Sequence, residues 1–276
     1  MSVVSDNYPG YQDIRVTCSG ATLRITLARP ERLNAVDYDM LAELRDALDR
    51  AKSDSAVRCV VLEGEGRGFC SGDNLKGLGK AAGDLDKFSR YLECGYPSVI
   101  RAMRALPKPV VAKLHGFVLG AGLELALGAD IRVVARDAVL GIPFINVAGT
   151  GGTYQLVRMI GPTRAIEMLF TAKRISGEEA FTIGIATEVV EEAALEEAVS
   201  AWSERLSGLP TRAVGLMKRA VYRASEQSLE DGLEEAGLNY VLSHFLEDRT
   251  EGRAAWLEKR PPAFTNNVTA RSVEEI

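Results

Sequence analysis

The sequence predicts an α/β fold, a largely parallel sheet followed by a helical C-terminal region. Apolar runs of strand length, Val57 to Leu62, Val110 to Leu114 and Ile131 to Val134, alternate with stretches of helical period; that order implies right-handed crossovers and parallel pairing. Beyond Ile160 the pattern turns almost wholly helical. With 276 residues, 46% of them hydrophobic and 26% charged, the chain has globular composition. It is long enough for one large domain with an appendage, and two independent domains would be a squeeze.

The elements follow in order. Asp13 to Cys18 and Ala21 to Ala28 alternate apolar with polar residues around Ser19-Gly20, the pattern of two strands joined by a tight turn. Asp37 is a good cap, and Leu41, Leu44 and Leu48 recur at helical spacing behind it, so 38–51 reads as an amphipathic helix. After the strand at 110–114 comes a helix near 121–128 and the strand at 131–134. Helices are expected near 162–170, 176–182, 192–206, 211–223 and 228–246, with a brief strand near 187–190. The break at Gly208-Leu209-Pro210 divides a core, 1–207, from a helical region, 208–276, whose end from Thr265 to Ile276 is expected to fray.

Lysine and arginine number 33 against 38 acidic residues, a net charge of −5. This offers no whole-protein attraction for nucleic acid or an anionic membrane, so an anionic ligand must be held by local basic groups or backbone amides. The amino terminus has no basic segment leading into an apolar run, and no uncharged apolar stretch reaches spanning length, so a cytoplasmic protein is expected. Cys18, Cys59, Cys70 and Cys94 form no CxxC pair, and His115 and His244 are the only histidines. Reduced structural thiols fit better than disulfides or a metal site.

Chemistry is foreshadowed in two glycine-containing passages that follow buried strands, Gly64 to Leu75 and His115 to Glu124. Glycine lets backbone approach a ligand in conformations closed to other residues. The second passage runs into a helix, whose first N–H groups lack partners. Together the two could aim donors at one oxyanion, or they could be ordinary strand-to-loop turns. Neither continues into GKS or GKT, and neither has the spacing of GxGxxG, so nucleotide folds are disfavoured.

Several motifs then agree in order and spacing with one family. Arg29-Pro30-Glu31-Arg32-Leu33-Asn34-Ala35, Gly68-Phe69-Cys70-Ser71-Gly72-Asp73-Asn74-Leu75, Lys108-Pro109-Val110-Val111-Ala112, Gly120-Ala121-Gly122-Leu123-Glu124-Leu125-Ala126 and Gly151-Gly152-Thr153 lead into Thr171-Ala172-Lys173-Arg174-Ile175-Ser176 and Glu251-Gly252-Arg253. Over roughly residues 13–265 the chain resembles the enoyl-CoA hydratase/isomerase (crotonase) family. The resemblance implies a spiral of ββα units with a C-terminal α-helical trimerisation region, and a homotrimer or dimer of trimers. It also implies a CoA thioester as substrate, coenzyme A being part of that substrate and no further cofactor or metal being called for. By motif position it implies oxyanion donors at the backbone N–H groups of Asp73 and Ala121. Arg32, Leu33, Ser71, Asn74 and Leu75 match the CoA path, Phe117 and Gly120 the acyl side, and Lys259 a contact to CoA phosphate.

Glu124 interrupts the apolar run Leu123, Leu125, Ala126, Leu127, where burial would raise its pKa into a range useful for proton transfer. A local pairing with Arg132 or Arg164 is the alternative. Where the family's hydratases carry a second glutamate after Gly-x-Pro, this chain reads Gly141-Ile142-Pro143-Phe144, and Phe144 cannot exchange protons. Asp73, Tyr91, Tyr96, Asn146, Thr150 and Tyr154 are candidate substitutes, while His115 and Cys70 are read as structural. Three functions stay open. The first is enoyl-CoA hydration or isomerisation; the second is hydrolysis, decarboxylation or dehalogenation of another acyl-CoA or β-dicarbonyl compound; the third is an idle acyl-CoA binder.

Overall fold

A computed structural model describes residues 8, 10–75 and 93–265. β1 (Ile14–Ser19) and β2 (Thr22–Leu27) form the expected antiparallel hairpin, in register from Ile14 opposite Leu27 to Ser19 opposite Thr22. α1 (Tyr38–Ser53) starts where Asp37 accepts the Met40 N–H at 3.3 Å, and it buries Met40, Leu41, Leu44, Ala47, Leu48 and Ala51. β3 (Cys59–Gly64) lies two residues later than the apolar run suggests. Val57 is spent in a turn onto Asp54, and the ladder begins only where the Arg58 and Cys59 N–H groups meet the Ala21 carbonyl.

α2 (Tyr96–Ala105) has no counterpart among the sequence expectations. Next come β4 (Val110–Leu114), β5 (Phe117–Leu119), α3 (Ala121–Leu127), β6 (Ile131–Ala135) and β7 (Val139–Gly141). A 3-10 turn over Pro143–Val147 leads into α4 (Thr153–Phe170), which bends at Gly161-Pro162. Pro162 looks like a helix start, which is why the sequence expectation begins there; in fact the helix opens nine residues earlier. β8 (Arg174–Ser176), α5 (Gly177–Thr182), β9 (Glu188–Val190) and α6 (Leu195–Ser207) complete the core. α7 (Thr211–Ala224), α8 (Leu229–Ser243) and α9 (Glu247–Glu258), a helix that the expected helical stretches do not include, follow. The expected fraying at the C-terminus falls almost wholly outside the described residues.

Among the described residues, six strands make one sheet in the order β1-β2-β3-β4-β6-β9, parallel from β2 onward. A second sheet has the order β5-β7-β8. The repeated unit is a strand of the first sheet, a short strand of the second, then a helix, as in β4-β5-α3 and β6-β7-α4. β3 joins the same scheme through a bridge from Cys70 to Val118. This is the ββα spiral. Leu23, Ile25, Val60, Val61, Val111, Leu114, Val133 and Val134 line its core with no exposed surface. Strands buried on both faces need continuous apolar runs, which is why β3, β4 and β6 were legible in the sequence.

Candidate active site

The site is built where the two glycine-containing passages cross. Asn34, fully buried, donates from Nδ2 to the carbonyls of Glu65 (2.9 Å), Gly68 (3.0 Å) and Phe69 (3.1 Å) and accepts the Arg29 N–H at 3.0 Å. Arg29 in turn holds Asp37 through two bonds of 2.8 Å, and that guanidinium keeps the Asp37 carboxyl down at about 2. The first passage then runs beside the second: Cys70 donates to the Phe117 carbonyl and Leu119 to the Cys70 carbonyl, both at 2.9 Å. α3 lies directly on this strip, since a Cβ at Gly122 would stand 2.6 Å from the Cys70 carbonyl oxygen.

Two glycines make the crossing possible. Gly72 has φ 105°, and Gly120 has φ 53° with ψ −125°, both costly for any other residue. Their backbones touch, a Cβ at Gly120 falling 3.5 Å from the Gly72 Cα. Val36 donates to the Gly72 carbonyl (2.9 Å) and accepts from the Asn74 N–H (2.8 Å). In such a ladder the intervening residue, Asp73, turns its N–H to the opposite side. Ala121 is the first residue of α3, so its N–H has no helical acceptor. Among the described residues neither amide has a hydrogen-bond partner.

Glu124 stands one turn into α3, 8% exposed. Its Oε1 accepts the Gly152 N–H at 2.5 Å, and its Oε2 is buried with no partner among the described residues. Burial, opposed by the Gly152 bond and reinforced by the charge of Asp73, pushes its carboxyl up to about 7. Neither alternative partner claims it: Arg132 donates to the carbonyls of Ile185 and Ala129, and Glu124 joins no ion pair with Arg164. Burial also raises Asp73 to about 6, with Oδ1 buried and unpartnered. The Phe144 ring closes the same space. A Cβ at Gly120 would lie 3.2 Å from that ring, and a Cβ at Gly151 would lie 2.3 Å from the ring and 3.3 Å from Glu124 Oε2.

The other sequence candidates are distributed around this centre. Leu33 accepts the Ser71 N–H at 2.9 Å, Asn74 donates to Asp37 at 3.2 Å, and Leu75 is exposed. Arg32 is exposed, 3.7 Å from Glu31. Phe117 starts β5, and Lys259 is the exposed C-cap of α9. Of the proposed acid-base substitutes, Asn146 and Thr150 are exposed and Tyr96 is buried on α2. Tyr154 donates to Glu226, with Arg158 4.8 Å over its ring, and Tyr91 lies outside the described residues. His115 holds the Gly66 carbonyl through Nε2 at 2.9 Å. Burial pushes the Cys70 thiol up to about 12, so it stays protonated. A separate cavity of about 880 Å³, lined by Arg58, Arg104, Lys108 and Arg219 among others, contains none of the acid cluster.

Two contributors escaped the sequence reading. Asn34 and Gly152 stood in the motifs Arg29 to Ala35 and Gly151-Gly152-Thr153 with no role assigned to either, and the Gly152 N–H that grips Glu124 comes from a segment 28 residues away. Each contact has a backbone group as one partner, which motif position alone does not reveal.

The sequence profile of the enoyl-CoA hydratase/isomerase family matches residues 17–267. The chain is 34% identical over 247 residues to the 1,2-epoxyphenylacetyl-CoA isomerase of Escherichia coli, covering 88% of this chain and 94% of that one. It is 34% identical over 245 residues to the (E)-benzylidenesuccinyl-CoA hydratase of Thauera aromatica, covering 87% and 94%. The crystal structure of an enoyl-CoA hydratase from Bacillus anthracis superposes with a TM-score of 0.85 at 32% identity, covering 93% of this chain and all of that one. The crossing of two glycine turns beside a buried glutamate thus belongs to a known scaffold: this chain is a member of the enoyl-CoA hydratase/isomerase family, an acyl-CoA-processing enzyme of the crotonase fold.

Proposed function

We propose that the enzyme hydrates a 2-enoyl-CoA or moves its double bond, holding the thioester oxygen with the N–H groups of Asp73 and Ala121 while Glu124 transfers a proton. The observation that carries this reading is the pair of unpartnered amides on abutting turns, set beside a buried carboxyl with a raised pKa. Preorganised donors of this kind stabilise an enolate without reorganising during reaction. A carboxyl near 7 can both take and return a proton at neutral pH. Arg32, Leu33, Ser71, Asn74 and Leu75 are assigned to the CoA path, Phe117, Gly120 and Phe144 to the acyl side, and Lys259 to a CoA phosphate. Two relatives act, by name, on phenyl- or benzylidene-bearing acyl-CoAs, and Phe144 gives this site an aromatic wall, so aryl-substituted substrates are included.

The substrate's own CoA is the only group the reaction requires. Met217, Val221, Leu233, Leu238 and Trp256 are exposed on α7 to α9, which supports a homotrimer or dimer of trimers built on residues 208–276; light scattering on the purified enzyme tests this. No helix among the described residues is long and apolar enough to cross a membrane, and a cytoplasmic location is proposed. Phe144 also supports a second reading, hydrolysis, decarboxylation or dehalogenation of another acyl-CoA or a β-dicarbonyl compound, which a mass-spectrometric panel of such substrates separates from double-bond migration because product mass changes. The central test is Ala121→Pro, which removes one donor. Turnover should fall by at least about 100-fold, roughly 3 kcal/mol of transition-state stabilisation, with the oligomer intact. Retained turnover in a folded Ala121→Pro enzyme would refute the oxyanion assignment.

A further inference from the structure

The backbone role assigned to Asp73 needs no side chain, because any residue except proline would supply the N–H. Yet the position carries an aspartate whose Oδ1 is buried without a hydrogen-bond partner among the described residues. A buried, unpartnered carboxyl oxygen costs stability and makes no hydrogen bond among the described residues that would offset it. Glu124 repeats the pattern with its buried Oε2, on the helix that begins at the abutting Gly120 turn. Neither carboxyl joins an ion pair among the described residues. The charges that bear on the cluster are few. Asp73 acts on Glu124 and on the Cys70 thiol behind it, and Arg29, also felt at Cys70, is committed to Asp37 and Asp13.

We propose that the Asp73 side chain is the second proton-transfer group of this site, paired with Glu124 and doing the work of the carboxylate that Phe144 cannot supply. The proposal rests on the enoyl-CoA reading above. Two interacting carboxyls without an ion-pair partner hold one proton between them over the pH range separating their titrations, and the burial that raises both, together with the Asp73 charge acting on Glu124, agrees with that. One member is then a base and the other an acid. In hydration the ionised member takes a proton from water as the water oxygen bonds to C3. The C2–C3 π electrons move toward C1, and the carbonyl π pair moves onto the thioester oxygen as enolate charge. The protonated member then delivers its proton to C2 as the carbonyl re-forms. One water is consumed, and the pair's proton ends on the other carboxyl, from which it returns before the next turnover. Double-bond migration uses the same pair, one member removing a C2 proton and the other protonating C4, with no net proton change.

Asp73→Asn tests this, since it keeps the backbone N–H and the side-chain shape. With crotonyl-CoA, or with whichever enoyl-CoA the unaltered enzyme turns over, kcat should fall by about 100-fold or more while KM stays within about threefold. The bell-shaped pH dependence of kcat/KM should collapse to a single limb, and Asp73→Glu should recover part of the rate. Carbon-13 NMR of the labelled Glu124 carboxyl supplies a readout independent of turnover: its titration should move to lower pH once the neighbouring negative charge is gone. Should Asp73→Asn fold poorly by thermal melting, Asp73→Ser, which also keeps the N–H, takes its place. Unchanged kcat, a bell that persists in a slowed variant, or an unmoved Glu124 titration would each overturn the proposal. Activity that requires Glu124 but not Asp73 overturns this inference alone, whereas an unaltered enzyme with no enoyl-CoA turnover overturns the functional reading and this one with it.

Discussion

Lys218 and Glu124 are equally buried, each 8% exposed, and they could hardly be treated more differently. Lys218, on α7, donates its three protons to the Met103 carbonyl (2.7 Å), the Lys108 carbonyl (3.0 Å) and Asp130 (2.6 Å). Asp130 also accepts from the Tyr222 hydroxyl at 2.8 Å and the Val110 N–H at 2.7 Å. An ammonium has three donors and all are used, so the charge is fully accommodated and clamps α7 to the sheet. Among the described residues Glu124 has one side-chain bond, to Gly152, and a bare second oxygen. Burial pulls the Lys218 pKa down while Asp130 opposes it; at Glu124 burial and the neighbouring Asp73 push in the same direction. Equal burial therefore yields a fully partnered clamp in one place and a carboxyl with a raised pKa in the other, and the inventory of partners decides which.

That contrast can be broken by exchanging what the two groups do. Glu124→Gln should lower kcat on an enoyl-CoA by about 100- to 10,000-fold while leaving the folded enzyme intact, as a positioned acid-base group requires. Steady-state kinetics with a parallel urea titration checks both halves. Lys218→Met should do the reverse. Removing one partner of a buried ion pair leaves Asp130 uncompensated and costs about 3–5 kcal/mol of stability, visible as a lower urea midpoint, while kcat of the folded fraction stays close to normal.

Glu124 should also mark the pH dependence of stability. Its native pKa of about 7 lies above the ordinary 4.5, so the folded state holds the proton more tightly. Stability from this group is therefore greatest at low pH and is lost as pH rises from about 4.5 through 7. Comparing urea unfolding at pH 5 and pH 8, the Glu124→Gln protein should lose less stability than the unaltered one, by up to about 3 kcal/mol. Identical pH slopes would mean that the carboxyl is solvated and the contrast with Lys218 false. The smallest effect is expected at Asn34, a satisfied group like Lys218 but one that serves the site. Asn34→Ala leaves buried carbonyls at Glu65, Gly68 and Phe69 without their donor and should cost about 2 kcal/mol. It should also slow turnover by loosening the turn that orients the Asp73 N–H.

Legibility in the sequence followed the length and chemistry of the signal. β3, β4 and β6 announce themselves as apolar runs, and α1 as a capped helix with leucines at period. β5, β7 and β8 have three residues each, too few for any alternation to show, and they appear only because the first sheet brings their partners alongside. Pro162 moved the expected start of α4, because a proline that opens a helix and one that bends it look alike in one dimension. At the site, Glu124 and Phe144 stood out through their neighbours in sequence, a charge in an apolar run and an aromatic after Gly-x-Pro.

The sequence by itself determined the α/β class, the main strands, the family and which positions carry titratable or aromatic side chains around the candidate site, because periodicity, turn chemistry and motif spacing are local properties. Tertiary structure alone decided how those groups behave. Asp73 and Glu124 are 51 residues apart in the chain and come together only because Gly72 and Gly120 let two backbones touch. Burial then raises both carboxyls, and the lack of an ion-pair partner for either among the described residues leaves them raised. A pKa is set by what surrounds a group in space, and that is not written beside it in the chain.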